Sequence, residues 1–127
     1  LIKKLKHSKT LTIMGMGKDG HIASIFPQSI KFKKMIDIKK KPNIVFTDKA
    51  GDPFCKRLTM NLSMILLSNK IIVVLKDKNR IKFFLKYLKE ENKKTPIYHL
   101  AKKAKSKLAF FFNKEIISIK ELEKRLV

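Results

Sequence analysis

A single cysteine, Cys55, in 127 residues excludes an internal disulfide and suits a reducing compartment. No apolar run reaches the roughly 18 residues that a membrane span needs. Asn69 and Lys70 interrupt the longest candidate. The opening LIKKLKHSKT has no long apolar stretch and no small-residue cleavage site, so no signal peptide is expected. It begins on Leu rather than Met, and the expectation is that the natural beginning lies elsewhere. Carboxylates are scarce: ten Asp and Glu stand against 31 Lys and Arg, for a net charge of +21. Arginine is scarcer still, with Arg57, Arg80 and Arg125 among 28 lysines. Recognition of phosphates and base edges leans on the guanidinium fork. An RNP-like aromatic motif, zinc-finger spacing and a compact basic stripe are also missing. The charge therefore reads as a solvated lysine surface, with nucleic-acid or other polyanion binding as the alternative. Linkers rich in Gly, Ser or Pro and internal repeats are absent, and the length suits one domain over 1–127.

What is present is a layered pattern. LTIM (11–14) and IIVVL (71–75) read as buried strands, NIVFT (43–47) as another, and LAFFFN (108–113) as a fourth. The spacing predicts helices over 58–68 (LTMNLSMILLS) and 78–91, where Ile81, Phe84, Leu85 and Leu88 share a face. A terminal helix is predicted in ISIKELEKRLV, with Ser118 as N-cap and Glu121 at capping-box distance. HIASIF reads as a short helix stopped by Pro27, and KFKKMIDIKKKP as a lysine-rich connector. Strands alternating with helices imply an α/β sheet with parallel pairs.

GMGKDGHIASIFP, residues 15–27, carries the densest signal. Its start spells G-x-G-x-x-G, yet no second strand ends in an acid about 20 residues on, as a dinucleotide fingerprint requires. Asp37 sits in KKMIDIKKK, which does not look like a strand end, and Lys18, Asp19 and His21 would crowd a pyrophosphate. Two readings remain open on the residues alone. One is a structural turn in which Asp19 satisfies local backbone groups. The other is a strand-to-helix turn presenting His21 for proton transfer beyond the carboxyl ends of the strands. Ser24 lies in no G-x-S-x-G elbow and reads as a packing residue inside the short helix. His7, His99 and Cys55 have no neighbours at metal or catalytic spacing and read as ordinary surface or core residues.

This stretch closely resembles the 6-phosphogluconolactonase signature G-M-G-x-D-G-H-x-A-S-[LI]-F-P. The related glucosamine-6-phosphate deaminases share only its first part, so A-S-I-F-P (23–27) selects the lactonase branch. CKRLTMNLSMILLS is similar to the family's R-[IL]-T-[ML]-x-L segment and VVLKDKN to its V-x-G-x-x-K, with Leu75 in place of the glycine. PIYHL through LAFFFN is similar to its closing segment. The resemblance implies a Rossmann-like layered α/β sheet, mostly parallel strands flanked by helices, incomplete at its N-terminal side. It implies a cytoplasmic enzyme without cofactor or metal that hydrolyses 6-phospho-D-glucono-1,5-lactone in the pentose phosphate pathway. On that resemblance His21 is the general base that activates water, and Asp19 orients the loop or the imidazole. Lys78 and Arg57 bind the 6-phosphate. Full lactonases resemble this chain only in their second half. That leaves an exposed strand edge beside LTIM and an N-terminal half as missing partner, unless the chain works as a monomer. The alternative is a catalytically impaired fragment or basic binding module that has kept the fold.

Overall fold

In a computed structural model, residues 1–125 are described, and Leu126 and Val127, the end of the expected terminal helix, lie outside them. The elements run α1 (Ile2–His7), β1 (Leu11–Gly15), α2 (Phe32–Ile36), β2 (Ile44–Phe46), β3 (Leu58–Met60) and α3 (Leu62–Ile65). They continue as β4 (Lys70–Val74), α4 (Lys78–Lys89), α5 (Pro96–Ala104), β5 (Leu108–Phe112), β6 (Glu115–Ile117) and α6 (Ile119–Arg125). Among the described residues, β1, β4, β5 and β6 form a sheet in that order. The first three are parallel and β6 is antiparallel to β5. This is the expected mostly parallel α/β sheet flanked by helices, and no helix among the described residues is long and apolar enough to cross a membrane.

The strand register explains where the core lies. Side chains alternate between the two faces of a strand. Met14, Val73, Phe110 and Ile117 stand in one row across the sheet, and all are buried. They share the core with Ile81 and Phe84 of α4, Ile97 and Leu100 of α5, and Leu122 of α6. The rows on either side of it point to the other face. There Ile13 pairs with Ile72 and Ala109, and Val74 with Phe111 and Ile116. Ile13 is 61% exposed and Ile116 59%. The helical cover thus lies on one face, while β1 ends the sheet as an apolar, unpaired edge.

Four expectations need correction. The helix predicted over 58–68 is divided: Leu58–Met60 is a strand and only Leu62–Ile65 is helical. Asn61 makes the break, since its Oδ1 accepts from the Met64 and Asn43 N–H groups and its Nδ2 donates to the Lys41 carbonyl. The strand in NIVFT does not join the main sheet. It pairs antiparallel with β3, turning Val45 and the buried Thr59 inward and leaving Ile44, Phe46 and Leu58 exposed. HIASIF forms no helix, because Ile22 and Ile25 both plug the core and Ala23 takes φ 49° between them. Ser24 is accordingly no helix-interior residue, and its N–H donates to Thr59 Oγ1 at 3.0 Å. The lysine-rich connector contains the short helix α2 around buried Met35. Ser118 Oγ does accept from the Glu121 N–H, at 3.2 Å, ahead of α6.

Candidate active site

The parallel strands β1 and β4 deliver their carboxyl ends to one edge, the place where open α/β sheets position ligands. From β1 the chain enters the loop 16–27. Between residues 16 and 20 alternate carbonyls are taken by the helices behind it. Arg80 Nε donates to the Met16 carbonyl at 3.2 Å, the Tyr87 hydroxyl to that of Lys18, and the Ile97 N–H to that of Gly20 at 3.0 Å. Burial first, then the nearby Asp19 charge, pushes the Tyr87 phenol up, so it stays a donor. Within the loop the Gly17 N–H reaches the His21 carbonyl and the Gly20 N–H the Gly17 carbonyl, both at 3.0 Å. Gly20 needs its hydrogen side chain: φ is +81°, and a Cβ would stand 2.8 Å from Thr95 Cβ.

This frame brings His21 and Asp19 together. His21 Nδ1 lies 2.6 Å from Asp19 Oδ1, which also accepts the His21 N–H at 3.1 Å. Both side chains are about one-third exposed, at 32% and 37%. Burial would raise the Asp19 carboxyl, but hydrogen bonds from the His21 ring and backbone, with the imidazole's charge, outweigh it and hold the carboxyl below 3.8. An ionised carboxylate only accepts, so in the neutral imidazole it selects the tautomer with the proton on Nδ1 and the lone pair on Nε2. The imidazole lies directly over Gly17, where a Cβ would come within 2.1 Å of Nδ1. On its other side the Phe26 ring packs at 4.5 Å between centroids, tilted 35°.

The depressed Asp19 carboxyl has a signed consequence. Its contribution to the folded loop is fully present above pH 3.8, the ordinary value, and is lost as the pH falls through the lower folded value. The His21 ring C–H resonances should therefore move at an inflection below pH 3.8, and Asp19→Asn should remove that inflection.

Two clefts meet at His21. One, of about 660 Å³, runs along the strand ends past Gly15, Gly17, Met60, Lys76 and Arg80. The other, of about 540 Å³, is walled by Lys18, Asp19, Phe26, Gly51, Asp52 and Arg57. Arg57, which the resemblance assigns to phosphate, therefore lines the second cleft. Its guanidinium donates to the carbonyls of Ala50, Cys55 (3.2 Å) and Pro53 (2.6 Å). Lys78 is the exposed first residue of α4 and lines neither cleft. The cations that line the first cleft are Lys76 and Arg80, and Arg80 also pairs with Asp77 at 2.6 Å. Sequence reasoning missed both, although Arg80 stands out as one of only three arginines. Leu75, in the place of the family glycine, turns its side chain into the core and donates its N–H to the Phe111 carbonyl. His99 donates from Nε2 to the Lys93 carbonyl at 2.7 Å, and His7 is exposed at the end of α1. Among the described residues, no three His, Cys, Asp or Glu side chains gather as metal ligands would.

Comparison with known proteins matches residues 3–110 to the family described as glucosamine-6-phosphate isomerases/6-phosphogluconolactonase. A 6-phosphogluconolactonase of Thermotoga maritima is 32% identical over 105 residues, which cover 82% of this chain and 42% of that protein. One of Neisseria meningitidis is 32% identical over 95 residues, covering 73% and 41%. Among solved structures, a putative 6-phosphogluconolactonase from Neisseria gonorrhoeae superposes with a TM-score of 0.64 at 30% identity, over 79% of this chain and 44% of that one. A 6-phosphogluconolactonase from Shewanella baltica gives a TM-score of 0.70 at 23% identity, over 87% and 48%, a likeness of fold. The chain spans about two-fifths of the length of the curated relatives it matches.

Proposed function

This chain belongs to the glucosamine-6-phosphate isomerase/6-phosphogluconolactonase family, and from that premise we propose that it carries the hydrolytic centre of a 6-phosphogluconolactonase. The observation that carries the proposal is the 2.6 Å contact between His21 Nδ1 and Asp19 at the carboxyl edge of the parallel strands. It leaves Nε2 as a base. Nε2 takes a proton from water, the hydroxide attacks C1 of 6-phosphoglucono-1,5-lactone, and the carbonyl electrons move to its oxygen. When the intermediate collapses, the C1–ring oxygen bond breaks and the imidazolium returns the proton to the departing ring oxygen. The product acid then ionises and releases one proton to the medium. The 6-phosphate takes charge-assisted hydrogen bonds from Arg57 at the second cleft, whereas Lys78, which the resemblance assigns to it, lines neither cleft. Lys76 and Arg80 add positive charge along the first cleft.

The exposed side chains of Ile13, Phe111 and Ile116 and the open edge of β1 support a second part of the reading. Parallel sheets are ordinarily covered on both faces. The working unit therefore includes further polypeptide that pairs with β1 and covers this face, corresponding to the first half of the relatives. The single cysteine suits a reducing, cytoplasmic setting. The net charge of +21 favours one competing reading, a basic module that binds polyanions.

Acid release from freshly prepared 6-phosphogluconolactone tests the proposal, measured with the chain alone and with a polypeptide supplying the first half of a relative. Catalysis above the spontaneous rate that disappears in His21→Ala is expected. Equal rates for wild type and His21→Ala in both preparations, together with tight, salt-sensitive binding to mixed RNA or DNA, would establish the polyanion module instead.

A further inference from the structure

The signature residue Phe26 has no task in the hydrolysis itself, yet it is only 5% exposed and touches the imidazole. Asp19 fixes one end of the His21 ring, and Gly17 leaves room beneath it. Against the ring itself packs Phe26, at 4.5 Å between centroids and tilted 35°. What holds Phe26 is the segment 50–57 on its far side. Arg57 Cζ sits 5.2 Å from the centre of the Phe26 ring. Gly51, at φ +77°, comes so close that a Cβ there would meet Phe26 Cζ at 2.7 Å and Arg57 Nη1 at 3.0 Å. This segment contains no helix or extended strand before β3, only the bridge between Ala50 and Cys55. Its shape depends on the Arg57 guanidinium, which gathers the carbonyls of Ala50, Pro53 and Cys55. A lysine could meet one of these carbonyls as a point charge and could not span all three as a planar fork.

We infer that Phe26 and Arg57 are positioning residues for His21: Arg57 clamps the 50–55 segment against Phe26, and the Phe26 ring fixes the plane of the imidazole. This rests on the hydrolytic reading of His21 and gives Arg57 a task separate from contact with phosphate. Positioning acts on turnover more than on binding, because a ring displaced by about 1 Å can cost on the order of a hundredfold in rate.

The test follows the His21 ring C–H resonances by carbon–proton NMR in wild type, Phe26→Leu, Arg57→Lys and Gly51→Ala, with the core amide spectrum as a fold control. An aromatic ring at this distance shifts imidazole protons. Phe26→Leu should remove the shift. Arg57→Lys and Gly51→Ala should move the same resonances, although neither residue touches His21. In the catalytic assay Phe26→Leu and Arg57→Lys should lower kcat by about tenfold to a hundredfold, and in Phe26→Leu KM should stay near the wild-type value. Unmoved His21 resonances in a folded Arg57→Lys protein overturn the inference, even if KM rises, since that pattern belongs to a residue that only binds phosphate. Should Phe26→Leu fail to fold, Arg57→Lys and Gly51→Ala decide it. The resonances read the positioning without turnover, so equal hydrolysis by wild type and His21→Ala removes the hydrolytic reading alone.

Discussion

Gly17→Ala should abolish hydrolysis as completely as removal of His21, a loss of about 10²–10⁴-fold, the usual worth of a positioned general base. The added methyl would occupy the space of the imidazole, 2.1 Å from Nδ1 and 2.2 Å from Cε1, and would press on Asp19 Oδ1 at 2.8 Å. Backbone cannot give way easily, since the Gly17 N–H and carbonyl are both used within the loop and the neighbouring Met16 carbonyl is held by Arg80. The imidazole must therefore swing out and lose its 2.6 Å contact with Asp19. Stability should change far less than activity, because the displaced imidazole, already about one-third exposed, can swing toward solvent. Thermal unfolding and acid release from the lactone, measured on one preparation, check both halves. Retained activity would mean that His21 works from another orientation.

Phe110→Ala should produce the largest loss of stability, about 3–5 kcal/mol, from the lost transfer energy and the cavity left behind. Phe110 is wholly buried in the middle strand of the core row, between Val73 and Ile117, and packs on Phe84 of α4 at 4.6 Å. A domain of this size has a total of about 5–15 kcal/mol, so the substitution consumes a large share of it. Denaturant titration should show a lower midpoint at unchanged slope. A loss below about 1 kcal/mol would show that the sheet and α4 are not packed through this side chain.

Sequence patterning was informative where burial is one-sided and local. Residues 71–74 and 108–112 are continuous apolar runs, and each was legible as a strand although the helices cover only one of its faces. The helix Lys78–Lys89 was legible from its apolar spacing, and Asp77 caps it by accepting from the Arg80 N–H. The segment 58–68 misled because Met60, Met64 and Leu67 do have helical spacing, while a single long-range contact decides the outcome. Asn61 spends its side chain on Asn43 and Lys41, some 18 and 20 residues away, and splits the pattern. β6 was missed because its turn gives a weak signal. Asn113 and Lys114 both have positive φ, the two-residue geometry that joins twisted strands, and lysine there carries no glycine-like cue. At the site, the motif pointed to His21 and Asp19, whose contact spans two residues. The environment of Arg57 is set by the carbonyls of a loop without regular structure, and no spacing rule reports that.

The alternate carbonyls of the 16–20 loop are fastened to Arg80, Tyr87 and Ile97, on two helices that also supply the core. Opening this loop would break all three bonds at once, so hydrogen exchange of the loop amides is expected to follow that of α4 and α5 as one cooperative unit.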